Sequence, residues 1–272
     1  MMKFNIKEFA NGQISTICKA IKSKRSIIIA FSGGVDSSVV TALAYRALGN
    51  KALAVTIDSP LLTRSELDEA KKVAKQIGIS HLVVKENELR LPEFAENPRN
   101  RCYFCKKNTF KALRKIAEKK GFEIIADGTN LSDLGEYRPG LKAAKEEDVY
   151  SPLLEAGLNK VHVRLIAKFL GLPTADKPSN ACLASRVPYG QKITSEKINR
   201  IAAAESYIKK LTGVKTLRVR DHEGLARIEV GRSERRLFNE DSMDKITRKL
   251  KKFGYRFVTL DLQGYRSGSF DS

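Results

Sequence analysis

Ser26-Ile27-Ile28-Ile29-Ala30-Phe31-Ser32-Gly33-Gly34-Val35-Asp36-Ser37-Ser38 is the stretch that decides the fold of this 272-residue chain. Its first part is an unbroken apolar, β-branched run, the pattern of a strand buried on both faces in a parallel sheet. Its second part is a glycine- and serine-rich turn, and Val39 to Leu48 beyond it reads as a helix. A strand, a Gly-Gly turn and a helix N-terminus together make an anion site. The glycines let the backbone approach a phosphate, and the unbonded N–H groups of the first helical turn point at it. Ser32, Ser37 and Ser38 add hydroxyl donors, and the Asp36 carboxylate suits Mg²⁺. No lysine follows the glycines, so the turn is not a Walker A loop.

Working outward, residues 1 to 25 read as an amphipathic lead helix ending in Lys22-Ser23-Lys24-Arg25. Downstream come a strand at Ala52 to Asp58, a helix at Arg64 to Gln76 stopped by Gly78, and a strand at His81 to Lys85. A helix at Asn108 to Lys119 and a strand at Glu123 to Asp127 follow. This rhythm predicts an α/β fold with a doubly wound parallel sheet, in which ligands bind at the carboxyl ends of the strands. The Gly-Gly turn, Thr56-Ile57-Asp58-Ser59 and Asp127-Gly128-Thr129-Asn130 all fall at such ends.

Residues 131 to 160 read as loop and short helix, and Val161 to Leu170 as a helix ended by Gly171. Pro173, Pro178 and Pro188 then punctuate an irregular stretch that carries Cys182. A boundary is expected near residue 190, dividing a domain at 1–190 from one at 191–272. The second reads as helix (Ser195 to Leu211), strands (Lys215 to Asp221, Gly224 to Val230), helix (Ser233 to Phe253) and strand (Arg256 to Leu262), a small α+β unit on an antiparallel hairpin. Arg218 and Arg220 alternate on one strand and so share a face. With Arg186 and Arg227 they suit a phosphate or a carboxylate, whose geometry the arginine fork matches; the competing reading is a solvated basic strand. Glu205 and Glu229 read as substrate contacts or as ion-pair partners of those arginines, and His222 as a turn residue of the hairpin.

An apolar content of 42% permits a full core. No stretch approaches the roughly 18–20 apolar residues of a membrane-spanning helix, and the N-terminus lacks the shape of a secretory signal, so a cytoplasmic protein is expected. The net charge of +19, from 50 Lys+Arg against 31 Asp+Glu, favours anionic ligands: ATP, a phosphorylated small molecule or RNA. In a cytosolic chain, the cysteines Cys18, Cys102, Cys105 and Cys182 point to metal binding or catalysis before disulfides. Cys102 and Cys105 form a C-x₂-C pair able to chelate one metal centre from a single turn. With Cys182 they can hold three irons of a [4Fe–4S] cluster and leave the fourth open. A zinc site completed by His81, His162 or His222, a redox pair beside an unrelated Cys182, and three structural cysteines remain alternatives. Cys18, among apolar residues of the lead helix, reads as core.

The SGGVDSS turn after a strand resembles the PP-loop of the ATP pyrophosphatases, whose sheet is of the adenine nucleotide alpha hydrolase-like type and which adenylate a substrate and release pyrophosphate. That resemblance implies ATP contacts from Ala30, Ser32, Gly33, Gly34, Val35, Asp36, Ser37 and Ser38. It adds Thr56, Asp58 and Ser59 around the adenosine, Gly128 and Thr129 at the next strand end, and Mg²⁺ on Asp36 and Asp133.

Further motifs carry the likeness across nearly the whole chain. R-C-Y-F-C-K at 101–106, A-D-G-T-N-x-S-D at 126–133, K-P-S-N-A-C-L-A-S-R at 177–186, P-Y-G-x-x-I-T at 188–194, R-V-R-x-H at 218–222 and A-R-I-E-V at 226–230 resemble the LarE family. LarE proteins are ATP-dependent sulfur transferases that convert the carboxylates of pyridinium-3,5-biscarboxylic acid mononucleotide to thiocarboxylates for the nickel-pincer nucleotide cofactor. Some carry only the cysteine matching Cys182, which gives up its own sulfur. This chain is similar to the three-cysteine form, which implies a [4Fe–4S] cluster with one open iron on Cys102, Cys105 and Cys182, a sulfide as nucleophile, an unidentified sulfur donor and a homo-oligomer. The rival readings are a PP-loop tRNA thiolase, an ammonia-using ligase and a non-catalytic nucleotide-binding iron–sulfur protein. No separate RNA-binding module, an aromatic content of only 7% for base stacking and no glutaminase domain count against the first two.

Overall fold

A computed structural model describes residues 5–135, 138–178 and 181–266. The chain forms two compact units, one from the described residues up to 86 together with 100–178, the other from 87–99 together with 181–266. Their division follows the contacts, and it gives Cys182 and the segment 87–99 to the second unit.

The first unit opens with α1 (Ile6–Lys22), then β1 (Ile27–Ala30), α2 (Val35–Leu48), β2 (Ala52–Asp58), α3 (Arg64–Ile77) and β3 (Ser80–Lys85). Four strands lie parallel in the order β3-β2-β1-β4, with β4 at Ile124–Ala126. Ile27, Ile28 and Ile29 of β1 are fully buried. Alternation sends Ile27 and Ile29 into the core with α1, α2 and α8 (Lys160–Phe169), while Ile28 joins Phe110 and Leu113 of α5 (Arg101–Lys120) on the other face. The apolar run of β1 is therefore the centre of a three-layer α/β sandwich, as its lack of polar alternation predicts. The chain leaves β1 toward β2 and later returns on the opposite side as β4, so the crevice between β1 and β4 is the topological switch point where such sheets bind ligands.

Three elements of the first unit differ from the sequence expectation. The helix after the Gly-Gly turn starts at Val35, so Asp36, Ser37 and Ser38 belong to its first turn. The helix expected from Asn108 starts at Arg101 and takes in the C-x₂-C pair. Within 131–160, beside α6 (Pro139–Glu146) and α7 (Pro152–Glu155), Tyr150 runs parallel to Ala126 in a single bridge, and its N–H donates to the Ile125 carbonyl at 2.8 Å. A one-residue extension of a sheet carries no periodicity to read.

The second unit holds α4 (Pro92–Ala95), α9 (Ser195–Thr212), the hairpin β5 (Leu217–His222) and β6 (Leu225–Val230), α10 (Glu240–Lys252) and β7 (Phe257–Leu260), which pairs parallel to β6. Glu223 and Gly224, at φ 53° and 96°, make the two-residue hairpin turn, with His222 at the strand end before it. The helix expected over Ser233 to Phe253 is broken: a 3₁₀ turn (Arg232–Leu237) precedes α10, which Asn239 caps by accepting from the Ser242 N–H at 2.9 Å. The segment 87–99 is tied in by Asn97, fully buried at φ 58°. Its Nδ2 donates to the carbonyls of Pro188 (2.7 Å) and Gln191 (2.9 Å). No helix among the described residues is long and apolar enough to cross a membrane.

Candidate active site

In the first unit, Gly34 caps α2 without a side-chain hydrogen bond. The first amide to bond back into the helix is that of Ser38, which donates to the Gly34 carbonyl at 3.0 Å. The N–H groups of Val35, Asp36 and Ser37 stand at the open end, where the helix dipole favours an anion. Ser32, Ser37 and Ser38 face the same end: Ser32 Oγ lies 3.1 Å from Ser37 Oγ, and Ser38 Oγ donates to the Gly34 carbonyl at 2.7 Å. Two glycines are required sterically. Gly33 sits at φ +68°, and a Cβ there would come within 2.9 Å of the Ala70 Cα on α3. A Cβ on Gly128 would meet the Ser37 nitrogen at 2.7 Å. The loop after β4 thus packs directly on the first turn of α2.

That loop is held by Asp127, which accepts from the Thr129 N–H (3.0 Å), the Thr129 hydroxyl (2.7 Å) and the Ser151 hydroxyl (2.8 Å). Ala30 is the last residue of β1, beside Val55 of β2. Asp58 accepts both its contacts from Arg64, at 2.9 and 3.0 Å, and Ser59 Oγ accepts from the Leu61 N–H at 3.2 Å. Thr56 donates its hydroxyl to the Phe31 carbonyl (2.7 Å) and must therefore accept from His81 Nε2–H, 2.8 Å away. A buried chain of contacts thus runs from β3 to the base of the Gly-Gly turn.

Burial, and secondarily the charge of Lys71, lowers the His81 pKa; burial also lowers that of His222, with Arg227 next. An imidazole held neutral in the fold binds fewer protons than in the unfolded chain below its free pKa of about 6.5. Stability is therefore expected to be full above that value and to fall as pH drops from about 7 toward 5. Melting temperatures measured across that window check this, and His81→Gln should flatten the slope.

Asp36 accepts from Asn130 Nδ2 at 3.3 Å and is ion-paired with Lys160. The Asn130 N–H donates to Asp133 (2.9 Å), whose other oxygen pairs with Arg138 at 2.9 Å. Mg²⁺ is typically bound through one or two carboxylates plus waters and substrate phosphates. The partly exposed Asp36 fits that role. Asp133, the other carboxylate expected at the metal, closes the 130–133 turn and pairs with Arg138. Lys177 bonds the Gly33 carbonyl at 3.1 Å and Glu69 at 2.7 Å. Sequence reading missed Asn130, Ser151, Lys160 and Lys177 as site residues. Asn130 and Lys177 stood inside quoted motifs, whereas nothing local marks Lys160.

Cys102 and Cys105 are the second and fifth residues of α5, a spacing that puts both thiols on one helix face. Cys102 is exposed and Cys105 partly so. Two cysteines three positions apart at the start of a helix fit the two-donor part of a cluster site. Cys182, also exposed, belongs to the second unit, where it precedes the 3₁₀ turn Leu183–Arg186. Ser179 and Asn180 of its motif fall outside the described residues. Among the described residues no three His, Cys, Asp or Glu side chains gather as a metal site. Of the histidines weighed for a zinc site, His81 is bound to Thr56, and His162 sits in the capping box of α8. Cys18 Sγ donates to the Leu43 carbonyl at 3.6 Å against the core.

In the second unit the arginines are not a solvated strand. Arg186 is 1% exposed, and Arg218 and Arg220 are 6% and 5% exposed. Arg186 forks onto Glu205 (2.8 and 3.1 Å) and donates to the carbonyls of Ala181 (2.6 Å) and Cys182 (3.1 Å), so a buried charge pins the backbone at Cys182. Arg220 (2.8 Å) and Arg227 (2.9 Å) converge on Glu229. Glu205 and Glu229 are thus ion-pair partners of the arginines. Arg218 differs: it donates to the Leu217 carbonyl (2.7 Å), lies 5.0 Å from the Tyr265 ring centroid, and has no carboxylate partner among the described residues. Burial first, and the Arg186 charge second, lower its pKa. It remains a cation, and a buried cation with no ion-paired carboxylate among the described residues, Glu205 acting on it only at a distance, is suited to an incoming anion.

Residues 16–99 match the asparagine synthase family model. Over 90% of its length the chain is 45% identical to an uncharacterised protein of Synechocystis, 91% of which is covered. It is 36% identical to the pyridinium-3,5-bisthiocarboxylic acid mononucleotide synthase of Lactiplantibacillus plantarum, over 93% of this chain and 92% of that one. The likeness to one subunit of the glutamine-hydrolysing GMP synthase of Methanococcus maripaludis is 35% but reaches only 62% of this chain and 57% of that one.

Proposed function

The chain belongs to the LarE family of PP-loop, ATP-dependent sulfur transferases, and from that premise we propose that it converts pyridinium-3,5-biscarboxylic acid mononucleotide to its thiocarboxylate for the nickel-pincer nucleotide cofactor. The observation that carries this reading is the match to the synthase along both units. The nucleotide loop alone is shared with ligases such as the GMP synthase, whose likeness covers far less of the chain.

A carboxylate is a poor electrophile and must be activated before sulfur attacks it. In our reading the open amides of Val35, Asp36 and Ser37 and the hydroxyls of Ser32, Ser37 and Ser38 hold the β- and γ-phosphates. Asp36 would hold Mg²⁺, which offsets charge as pyrophosphate leaves. Thr56, Asp58 and Ser59 border the adenosine, and Gly128 and Thr129 let the ribose side approach. The substrate carboxylate attacks the α-phosphorus, and acyl-adenylate and pyrophosphate form. Arg186, Arg220 and Arg227, engaged by Glu205 and Glu229, build the wall of the substrate site, and Arg218 meets the substrate's own anionic groups.

Cys102, Cys105 and Cys182 would hold a [4Fe–4S] cluster, which when bound supplies sulfur at the sulfide level. Displacement of AMP from the acyl-adenylate by sulfur completes the thiocarboxylate. An external sulfur donor restores that sulfur, and a homo-oligomer is the assembly that the family suggests. Residues 1–190, which carry the ATP loop and the three cysteines, are proposed to do the ATP and sulfur chemistry, and residues 191–272 to serve substrate and assembly.

Anaerobic turnover with ATP, Mg²⁺, a sulfide source and either the biscarboxylate nucleotide or bulk tRNA tests this reading by mass spectrometry. Sulfur replacing oxygen on the small nucleotide is the expected result; sulfur appearing only in tRNA nucleosides overturns it. Changing each of Cys102, Cys105 and Cys182 to alanine is expected to remove the cluster's visible absorbance. Retention of that absorbance in Cys105→Ala would sink the three-cysteine assignment.

A further inference from the structure

We infer that Lys160 is a phosphate-binding residue that Asp36 holds in place until nucleotide arrives, a role that rests on the nucleotide reading above. Lys160 is the first residue of α8 and the partner of Asp36. Its backbone is fixed independently of its charge: the Lys160 N–H donates to Ser132 Oγ at 3.0 Å, and the Leu131 N–H donates to the Leu158 carbonyl at 2.8 Å. Residues 158–160 are thereby stapled to the turn that also carries Asn130, the second contact of Asp36. The ammonium is thus delivered beside the first turn of α2 by backbone-level constraints, and at 31% side-chain exposure it is only partly hydrated.

Two charge arguments convert this placement into a function. The open end of α2 offers amides and a dipole but no cation of its own, since no lysine follows the glycines. A triphosphate carries about four negative charges, and amides alone do not balance them. Mg²⁺ and the Lys160 ammonium compete for the Asp36 carboxylate. When Mg²⁺ enters with ATP and takes the carboxylate, the divalent ion outcompetes an ammonium. Lys160 then loses its carboxylate while a phosphate arrives within reach of a side chain that has three donors and a flexible stem. Lys177 differs, because its carboxylate partner at 2.7 Å is Glu69 of α3 and not the proposed metal ligand. Among the described residues Lys160 is the cation whose carboxylate partner is the proposed metal ligand.

Calorimetry with ATP·Mg²⁺, inorganic pyrophosphate and adenosine on the full chain tests this. Lys160→Gln is expected to weaken ATP and pyrophosphate by about 10- to 100-fold, the range for one hydrogen bond to a charged group, and adenosine by less than twofold. Lys160→Arg should recover most of that loss. The same pair of measurements in an Asp36→Asn background separates the two roles, and it also serves if Lys160→Gln alone fails to fold through its unpaired carboxylate. A phosphate ligand still costs about tenfold there; a mere counter-ion of Asp36 costs nothing once that charge is gone. Equal pyrophosphate affinity with and without Lys160 in the Asp36→Asn chain overturns the inference while leaving the ATP site intact. A wild-type chain that binds neither ATP nor pyrophosphate overturns both this role and the nucleotide reading beneath it.

Discussion

Asp36→Ala is expected to slow ATP-dependent pyrophosphate release by about 10²- to 10³-fold, the scale set by removing one preorganised charge-stabilising group, while the iron content of the reconstituted protein stays at the wild-type level. The two readouts part because Asp36 occupies the first turn of α2, with Asn130 and Lys160 as its partners, and the cysteines occupy other elements. Folding should survive. A partly exposed ion pair such as Lys160–Asp36 contributes roughly 1 kcal/mol or less, and Gly128 still seals the α2 turn on its other side. Pyrophosphate release at the wild-type rate would remove Asp36 from the metal role. Loss of iron would mean that the residue had been assigned to the wrong chemistry.

The largest effect on stability belongs to the second unit. Glu229→Ala is expected to cost about 3–5 kcal/mol, read as a lower urea midpoint, because it leaves Arg220 buried without its carboxylate and deprives Arg227 of the same partner. Glu229→Gln keeps the shape and an acceptor, and a clearly smaller loss is expected. Exposed Glu146, which pairs with Lys107 at 2.8 Å and Tyr103 at 2.6 Å, serves as the contrast: Glu146→Gln should leave the midpoint where it is. If Glu229→Ala behaved like the surface change, the arginine–glutamate network would be decoration instead of the interior of that unit.

How much of this was legible in the sequence follows from the range of each interaction. The parallel sheet was legible because burial on both faces forces an unbroken apolar strand, as in Ile27 to Ile29, and because strands then alternate with helices. The nucleotide loop was legible because strand, turn and helix are neighbours in sequence. Helix starts were placed too late at Val35 and Arg101, since the residues that open these helices are chosen for chemistry and carry little apolar periodicity. The environment of the arginines was not legible: charged residues are almost never fully buried unless paired, and the partners of Arg186 and Arg220, Glu205 and Glu229, lie 19 and 9 positions away. Lys160 was invisible for a stronger form of the same reason, its partner Asp36 being 124 positions distant. Asp133, expected at the metal, also closes a turn, a use that an N-x-x-D spacing permits.

The buried Asn97 sets a timetable for the growing chain. The last of its carbonyl partners, that of Gln191, is encoded 94 positions later. At elongation rates of about 5–20 residues per second, the segment 87–99 waits roughly 5 to 20 seconds for the chain that will hold it. Meanwhile β1 to β4 can emerge and pair on their own. The nucleotide-binding sheet is therefore expected to be the first part to resist protease on the ribosome, with the 87–99 segment cut readily until residues beyond 190 have left the exit tunnel.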